Sequence, residues 1–155
     1  MSEPVVDYLP GCAFCAIAHG ETPAEIVFET ADVTAFLDRR PVFPGHVLLA
    51  PRRHVPTFED LPASDVGPLF SAARLLATAV REATGADGSF VAVNTRVSQS
   101  VPHLHVHIVP RRFHDGLRGF FWPRQGYASD EERAEAAEAI RSAVGRMESR
   151  QGGTQ

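Results

Sequence analysis

VPHLHVHIVPR, residues 101–111, carries three of the chain's seven histidines at alternate positions. Successive side chains of a β-strand point to opposite faces, so a strand over residues 103–110 places His103, His105 and His107 on one face. Leu, Val and Ile then occupy the other face, which can pack against helices. The histidine face is left to line a site that uses imidazoles.

The spacing of these three histidines bears on what they can do together. Neighbouring positions on one strand face lie about 6.6 Å apart along the backbone. Two imidazoles at that spacing can converge on one metal ion, but three along a flat strand do so less easily, which favours a division of roles. Two alternatives stay open from the residues alone. All three histidines could bind a hydrolytic Zn²⁺, or they could form a solvent-exposed strand face without a function.

The composition indicates one soluble globular domain of 155 residues, with 44% hydrophobic and 22% charged residues. No apolar run approaches the roughly 18 to 20 residues that span a bilayer, and no signal-peptide pattern opens the chain, so we expect a cytoplasmic protein without membrane contact. The net charge of -4 argues against nucleic acid as the main partner.

The remaining pattern predicts an α+β domain around an antiparallel sheet. A helix begins near Ser64, with Val66 and Phe70 among its buried positions, and ends before Gly85. A second helix begins at Ser129, which forms a capping-box pattern with Glu132. Strands are predicted over residues 25–30, 33–38, 45–51, 89–95 and 103–110.

Cys12 and Cys15 have the C-x-x-C spacing of a zinc knuckle. A structural disulfide is not favoured in a reducing cytosol, so the pair suits metal or redox chemistry better. Two thiolates leave a tetrahedral ion half satisfied, and the other ligands must come from elsewhere in the chain. A redox dithiol and two free buried cysteines remain the alternatives.

HLHVHIV, residues 103–109, resembles the signature of the histidine-triad (HIT) superfamily of nucleotidyl hydrolases and transferases. Residues 12–54 resemble the N-terminal half of that family, and residues 98–111 resemble its catalytic segment. The resemblance implies a five-stranded antiparallel sheet with a central helix and a C-terminal helix. It also implies a homodimer. We predict a flexible segment over residues 1–10, a HIT domain over 11–150 and a disordered tail over 151–155.

The resemblance also implies roles for the histidines and cysteines. His105 becomes the nucleophile, which attacks the α-phosphorus of a purine nucleotide while a backbone carbonyl fixes its tautomer; water then releases the mononucleotide. His107 and His46 correspond to positions that contact the phosphate and the leaving group. A structural Zn²⁺, one per chain, is implied at Cys12, Cys15, His54 and His103, with no catalytic metal.

The substrate contacts are implied in the same way. Gln99 and Ser100 resemble the pair that binds phosphate oxygens and the bridging atom, and Asn94 the phosphate-side asparagine. Asp38 matches the acid that accepts hydrogen bonds from ribose hydroxyls. An apolar slot for the base is implied at Phe14, Ile17, Phe36 and Leu37. Without the resemblance these four residues could equally be ordinary core.

The chain departs from the family pattern at several positions. Ser98 stands where the family commonly has glycine, which puts the Asn94 assignment in question, and Arg39 stands where an apolar residue often flanks the base slot. A later segment with Phe120, Phe121 and Trp122 suits a substrate mouth, a dimer contact or plain core packing.

The predicted function is cleavage of nucleoside phosphoramidates or dinucleoside polyphosphates through a nucleotidyl-histidine intermediate. A phosphorylase or nucleotidyl transferase uses the same covalent step with an acceptor other than water. A nucleotide-binding regulatory protein keeps the pocket but turns over little substrate. The sequence does not separate these three.

Overall fold

A computed structural model describes residues 5–118 and 124–152. The chain divides into two compact units, Met1–Asp115 and Gly116–Gln155. The first unit contains a sheet, two α-helices and a short 3₁₀ helix. In chain order its elements are α1 (Ala13–Ala18), β1 (Ile26–Glu29), β2 (Val33–Leu37), β3 (Val47–Pro51), the 3₁₀ helix (Phe58–Asp60), α2 (Ala63–Thr84), β4 (Gly88–Val93) and β5 (Val106–Arg111).

The five strands form one antiparallel sheet in the order β1-β2-β3-β5-β4. This confirms the predicted α+β fold with a five-stranded antiparallel sheet. The long helix α2 packs on β3, β4 and β5. Between them lies an apolar core whose members are all less than a tenth exposed, including Leu49, Leu69, Leu76, Leu104 and Ile108.

The strand that contains the last histidine of the triplet is shorter than predicted. β5 begins at Val106, so His107 lies in the sheet while His103 and His105 precede it. The cause is a local change of hydrogen-bond partner: the amide of Leu104 donates to Val55 O at 2.6 Å instead of entering the sheet ladder. The aliphatic side chains still point inward, since Leu104, Val106 and Ile108 are fully buried.

The ends and the buried face of α2 also differ in part from the prediction. Pro62, not Ser64, is the N-cap residue, because the Ser64 hydroxyl donates to Asp65 and caps nothing. Gly85 ends the helix as predicted, in the left-handed conformation with φ of 64°. Val66 and Phe70, predicted to be buried, are 41% and 37% exposed.

The second unit contains α3 (Asp130–Gly152), which confirms the predicted C-terminal helix. Ser129 Oγ accepts from the amide of Glu132 at 3.0 Å, and the Glu132 carboxylate accepts from the amide of Ala128, one residue earlier than a capping box requires. The predictions for Phe120, Phe121 and Trp122 concern residues outside the part of the chain that the structure describes.

The predicted limits at residues 10 and 150 stay predictions. Within the first ten residues, Val6 exchanges two backbone hydrogen bonds with His54. None of the helices in the described part of the chain is long and apolar enough to cross a membrane.

Candidate active site

A cleft of about 900 Å³ opens beside the triad segment of the first unit. Its walls include eight of the residues that the sequence predicted for catalysis or substrate binding: Phe14, Ile17, Phe36, Leu37, Asp38, Ser100, His105 and His107. Its other walls were not predicted and include Ala13, Thr22, Pro23, Ala24, Leu48 and Val101. Leu48 lies within β3 and the other five come from loops or from the first residue of α1, so only the fold brings the six together.

His105 is held in one orientation by its own chain. Its Nδ1 lies 2.7 Å from the carbonyl oxygen of His103, so Nδ1–H donates and Nε2 carries the lone pair. The side chain is only 5% exposed, and Phe14 packs on it edge-on at 5.0 Å between ring centroids. Burial lowers the pKa of His105, which keeps the ring neutral at pH 7.

His107 and His46 form a hydrogen-bonded pair whose proton positions follow from the backbone. The amide of Val42 donates to His46 Nδ1 at 3.2 Å, so a neutral His46 carries its proton on Nε2. That Nε2 lies 3.0 Å from His107 Nδ1 and donates to it, which places the His107 proton on Nε2. Burial lowers the pKa of both rings, that of His107 to about 4.

The His107 Nε2–H donor is buried and has no hydrogen-bond partner within residues 5–118 and 124–152. Leaving such a donor unpaired costs about 1–3 kcal/mol in a folded protein. An oxygen of a bound phosphate in the cleft would satisfy it. This orphaned donor therefore indicates a ligand-binding position rather than ordinary core packing.

The turn before β3 positions His46 against His107, which lines the cleft. Gly45 has φ of 96°, and a Cβ built there would approach the Thr84 methyl carbon Cγ2 to 2.6 Å. Glycine is required at this point both for the left-handed backbone and for the space. His46 then follows with its backbone oxygen accepting from the amide of Asp38 at 2.9 Å.

Asp38 lies next to the histidine pair and remains partly open to solvent. Its Oδ1 accepts from the amide of Arg40 at 2.8 Å, and its Oδ2 is 3.6 Å from His46 Nδ1. Because each carboxylate oxygen can accept more than one hydrogen bond, the group retains acceptor capacity toward the cleft.

A second group of residues lies behind the triad and fits a metal ion. The ligand atoms of Cys12, Cys15, His54 and His103 all lie within 4.8 Å of one another, and all four residues are buried. Cys12 Sγ and Cys15 Sγ lie 3.4 and 3.6 Å from His103 Nδ1, and Cys15 Sγ lies 3.5 Å from His54 Nδ1. A tetrahedral Zn²⁺ with Zn–S of about 2.3 Å and Zn–N of about 2.05 Å requires a sulfur-to-nitrogen separation of about 3.6 Å.

The groups around this cluster also suit a cation. His103 Nε2–H donates to Pro51 O at 2.8 Å, which turns Nδ1 toward the thiols and is the usual support of a metal-binding histidine. Burial raises the pKa of the Cys15 thiol to about 11, so ionisation at neutral pH needs a compensating positive charge. The structure therefore brings together all four predicted metal ligands.

This arrangement does not favour a hydrolytic metal bound by all three triad histidines. Nδ1 of His105 and Nδ1 of His107 are engaged by a backbone carbonyl and by His46. The Cys12, Cys15, His54 and His103 group is also the one potential metal site of this kind that the described residues form.

Three residues predicted to contact the phosphate region are not among the cleft walls: His46, Asn94 and Gln99. The Gln99 amide accepts from the amide of Arg96 at 2.8 Å and donates to Pro56 O at 2.7 Å. Asn94 is likewise absent from the described cleft walls. The intervening loop is strained, since Arg96 and Ser98 have φ of 63° and 61° where glycine is favoured. The phosphate-binding roles of Gln99 and Asn94 stay predictions.

Comparison with known proteins places this geometry in a family. The family model of the HIT domain matches residues 19–114. The chain belongs to the HIT family. Among solved structures, a HIT-family member from Bacillus subtilis matches with a TM-score of 0.75 and 30% identity, over 85% of this chain and 96% of that one. A zinc-bound histidine-triad protein from Mycobacterium smegmatis matches with a TM-score of 0.65 and 32% identity, over 90% and 96%.

Curated HIT relatives with enzyme names match over the same region. An adenylylsulfatase of Arabidopsis thaliana is 37% identical over 108 residues, which are 68% of this chain and 55% of the relative. An asymmetrical bis(5'-nucleosyl)-tetraphosphatase of Schizosaccharomyces pombe is 35% identical over 91 residues, 57% of this chain and 50% of the relative. This HIT chain therefore spans about half the length of these two relatives.

Proposed function

We propose that this HIT-family chain is a nucleotide hydrolase that cleaves nucleoside phosphoramidates or dinucleoside polyphosphates through a nucleotidyl-His105 intermediate. The observation that carries the proposal is the 2.7 Å hydrogen bond from His105 Nδ1–H to the carbonyl oxygen of His103. It leaves Nε2 as a neutral, oriented nucleophile in a cleft. The enzyme names of the plant and yeast relatives support nucleotide hydrolysis as the reaction class.

In the first step, His105 Nε2 attacks the α-phosphorus and the bond from phosphorus to the leaving group breaks. The leaving group departs with the bonding electron pair and takes a proton from the medium or from a neighbouring donor. Water then attacks the same phosphorus and loses a proton to the medium. The bond to Nε2 breaks with its electron pair returning to the nitrogen, and the mononucleotide leaves while the imidazole returns to its neutral form.

The surrounding residues stabilise and position the substrate in this proposal. The orphaned Nε2–H of His107 donates to a phosphate oxygen whose charge increases during attack. His46 is a positioning residue, since its hydrogen bond to His107 Nδ1 keeps that proton on Nε2. Asp38 accepts from ribose hydroxyls, and the base lies in the apolar slot formed by Phe14, Ile17, Phe36 and Leu37.

An acid-sensitive covalent adduct tests the proposal directly. Wild-type protein is mixed with nucleotide labelled at the α-phosphorus, denatured within one turnover and analysed by peptide mapping. We expect label on His105 that is lost in acid, and none in His105→Ala. The matched control is His114→Asn, an exposed histidine outside the cleft. Tight nucleotide binding without adduct or product defeats the hydrolase proposal and leaves a binding protein.

The same substrates test whether water or inorganic phosphate accepts the nucleotidyl group from His105. Hydrolysis predicts free mononucleotide at a rate independent of inorganic phosphate. A rate that rises with phosphate, with nucleoside diphosphate as product, would instead indicate the phosphorylase. A panel of adenosine and guanosine phosphoramidates and dinucleoside polyphosphates assigns the leaving group.

We further propose that Cys12, Cys15, His54 and His103 hold one structural Zn²⁺ per chain. The sulfur-to-nitrogen distances of 3.4–3.6 Å and the zinc-bound relative of known structure support this. When bound, the ion would neutralise the two thiolates and tie α1 to the segments that hold the histidines. It takes no part in the reaction steps above.

We also propose that the chain forms a homodimer. β4 is an edge strand of the sheet and exposes Val91, which is 43% accessible, and α2 exposes Leu75, which is 53% accessible. The resemblance to the family implies a homodimer, and these two exposed side chains are compatible with it. Sedimentation equilibrium should give twice the chain mass of 16.8 kDa; the mass of a single chain at micromolar concentration excludes the dimer.

A further inference from the structure

His103 belongs to the proposed zinc site and to the active site at the same time. Its Nδ1 lies 3.4 Å from Cys12 Sγ and 3.6 Å from Cys15 Sγ, and its Nε2–H donates to Pro51 O at 2.8 Å. Its backbone oxygen accepts the 2.7 Å hydrogen bond from His105 Nδ1–H that orients the proposed nucleophile. The residue is fully buried, and a close-packed interior transmits a displacement of the ring to the main chain. One residue therefore links the two thiols to the nucleophile.

The short helix α1 makes a second link between the proposed zinc site and the cleft. Cys12 is its N-cap residue, and Cys12 Sγ accepts from the amide of Cys15 at 3.5 Å. Phe14, between the two cysteines, and Ile17, beyond them, form part of the cleft wall. A helix of six residues is unstable by itself, so its position depends on tertiary anchors. The two thiols provide such anchors close to the wall.

Phe14 joins these two links. Its ring packs edge-on against His103 with 5.9 Å between ring centroids, and against His105 with 5.0 Å. It also packs on Phe36, another residue of the cleft wall, at 5.2 Å. The side chain is only 7% exposed, so a movement of α1 changes the packing on both histidines and the shape of the apolar slot.

The contacts inside the proposed zinc site are weak unless a cation binds there. His103 Nε2 carries the proton that Pro51 O accepts, so Nδ1 is an acceptor, and one thiol at a time donates to it. A thiol is a weak hydrogen-bond donor, whereas a divalent metal ion bonds to all four ligands at once. Metal occupancy therefore changes how firmly His103 and α1 are held.

We infer that metal occupancy of this site sets the nucleotide affinity of the cleft, with His103 and Phe14 as the coupling residues. The inference rests on the proposed function, because it takes the cleft as a nucleotide site and the four ligands as a zinc site. His103 acts as a positioning residue, since it does not line the cleft. Such coupling is reciprocal: a metal that raises the affinity for a nucleotide by some factor has its own affinity raised by the nucleotide by the same factor.

Calorimetric titration with AMP tests the coupling without requiring turnover. Zinc-loaded protein is compared with metal-free protein at a temperature where circular dichroism shows the metal-free protein to be folded, so that a metal that only stabilises the fold gives equal affinities. We expect AMP to bind about tenfold more tightly to the zinc-loaded protein, a typical size for coupling between two sites. Competition with a chelator should show the same factor in zinc affinity with and without saturating AMP. AMP affinities that agree within about twofold overturn the inference.

Cobalt substitution gives a spectroscopic signature that needs no metal-free protein. Co²⁺ replaces Zn²⁺ in tetrahedral sites, and its visible absorption bands depend on the geometry of its ligands. With excess cobalt removed, saturating AMP should shift these bands in the wild-type protein, because Phe14 contacts both the cleft and His103. Bands that AMP leaves unchanged overturn the inference, whether or not the metal-free protein folds.

The variant Phe14→Leu tests the coupling route, since it keeps all four metal ligands and removes the ring contacts to both histidines. AMP affinity falls in any case because Phe14 lines the cleft, so the readout is the ratio of AMP affinities with and without zinc. We expect this ratio to fall from about ten to about three or less, and the AMP-induced shift of the cobalt bands to shrink. Phe58→Leu, at an aromatic residue that is 44% exposed and outside the cleft walls, is the matched control and should keep both. A ratio as large in Phe14→Leu as in this control overturns the role given to Phe14.

These outcomes differ from failure of the proposed function. AMP binding and a His105 adduct with equal AMP affinities in the presence and absence of zinc remove only the coupling. A clear ratio of affinities without any adduct keeps the coupling and removes the hydrolase. A protein that binds no zinc removes the coupling together with the proposed zinc site, and one that binds no AMP removes the coupling together with the proposed nucleotide cleft.

Discussion

Removal of zinc should destabilise the first unit by several kcal/mol, and the size of the loss follows from the loops that the ion closes. Cys15 and His54 are 39 positions apart, and Cys15 and His103 are 88 apart. A cross-link that closes a loop of about 40 residues removes chain entropy worth about 4 kcal/mol from the unfolded state, and one of about 90 residues removes about 4.6 kcal/mol. The two terms overlap and do not add.

We therefore expect a loss of about 4 kcal/mol in the free energy of unfolding, lessened by any zinc binding to the unfolded chain. For a unit of this size, that loss corresponds to a decrease in Tm of about 15 °C. The assay is thermal unfolding by circular dichroism, before and after dialysis against a strong chelator, with zinc measured by mass spectrometry.

The variant arm uses Cys15→Ser, with His114→Asn as the control for replacing a polar residue outside the cluster. We expect about one zinc per chain in the control and much less in Cys15→Ser. Chelation of wild-type protein needs no variant, so poor folding of Cys15→Ser leaves the test intact. A Tm that changes by less than about 2 °C on full removal of zinc would refute the entropic argument, and unchanged zinc in Cys15→Ser would refute the ligand set.

Three further predictions concern the core, the pH dependence and the substrate. Leu49→Ala, at a fully buried position, should cost about 2–5 kcal/mol in urea unfolding, whereas Val97→Ala, at a position 81% exposed, should cost less than about 0.5 kcal/mol; equal losses contradict the described core. Burial lowers the pKa of His107 from 6.5 to about 4, so the unfolded chain binds the extra proton between these values. The stability that depends on a neutral His107 should be complete above about pH 6.5 and decrease as the pH falls toward 4. We expect the urea midpoint to fall more steeply with pH in wild type than in His107→Gln, and an equal pH dependence in the two proteins contradicts that. Asp38→Asn should lower kcat/KM by about tenfold or more through KM, and a 2',3'-dideoxy substrate should be insensitive to the change; equal sensitivity of both substrates argues against a ribose contact.

The sequence predicted the fold mainly through periodic burial. Alternating apolar residues indicated strands, and the three- and four-residue spacing from Leu69 to Val80 indicated α2. Val66 and Phe70 have the same spacing but are exposed, because periodicity identifies a face of a helix and not how far the sheet beneath it extends. The start of β5 was misplaced for a related reason, since Leu104 finds its hydrogen-bond partner at Val55, a residue distant in sequence.

The candidate site likewise has features that the sequence predicted and features that only the tertiary structure decided. Residue types and spacing were enough to single out His105 and the C-x-x-C pair, because few other uses exist for imidazoles and thiols in such patterns. Only the tertiary structure decided which ring nitrogen of each histidine is available, because tautomers depend on partners such as the carbonyl of His103 and the amide of Val42. It likewise decided that Gln99 bonds to Pro56 and that Arg39 and Arg40 lie at the cleft. Local patterning specifies which chemical groups the chain carries, whereas their orientation depends on contacts between segments that are far apart in sequence.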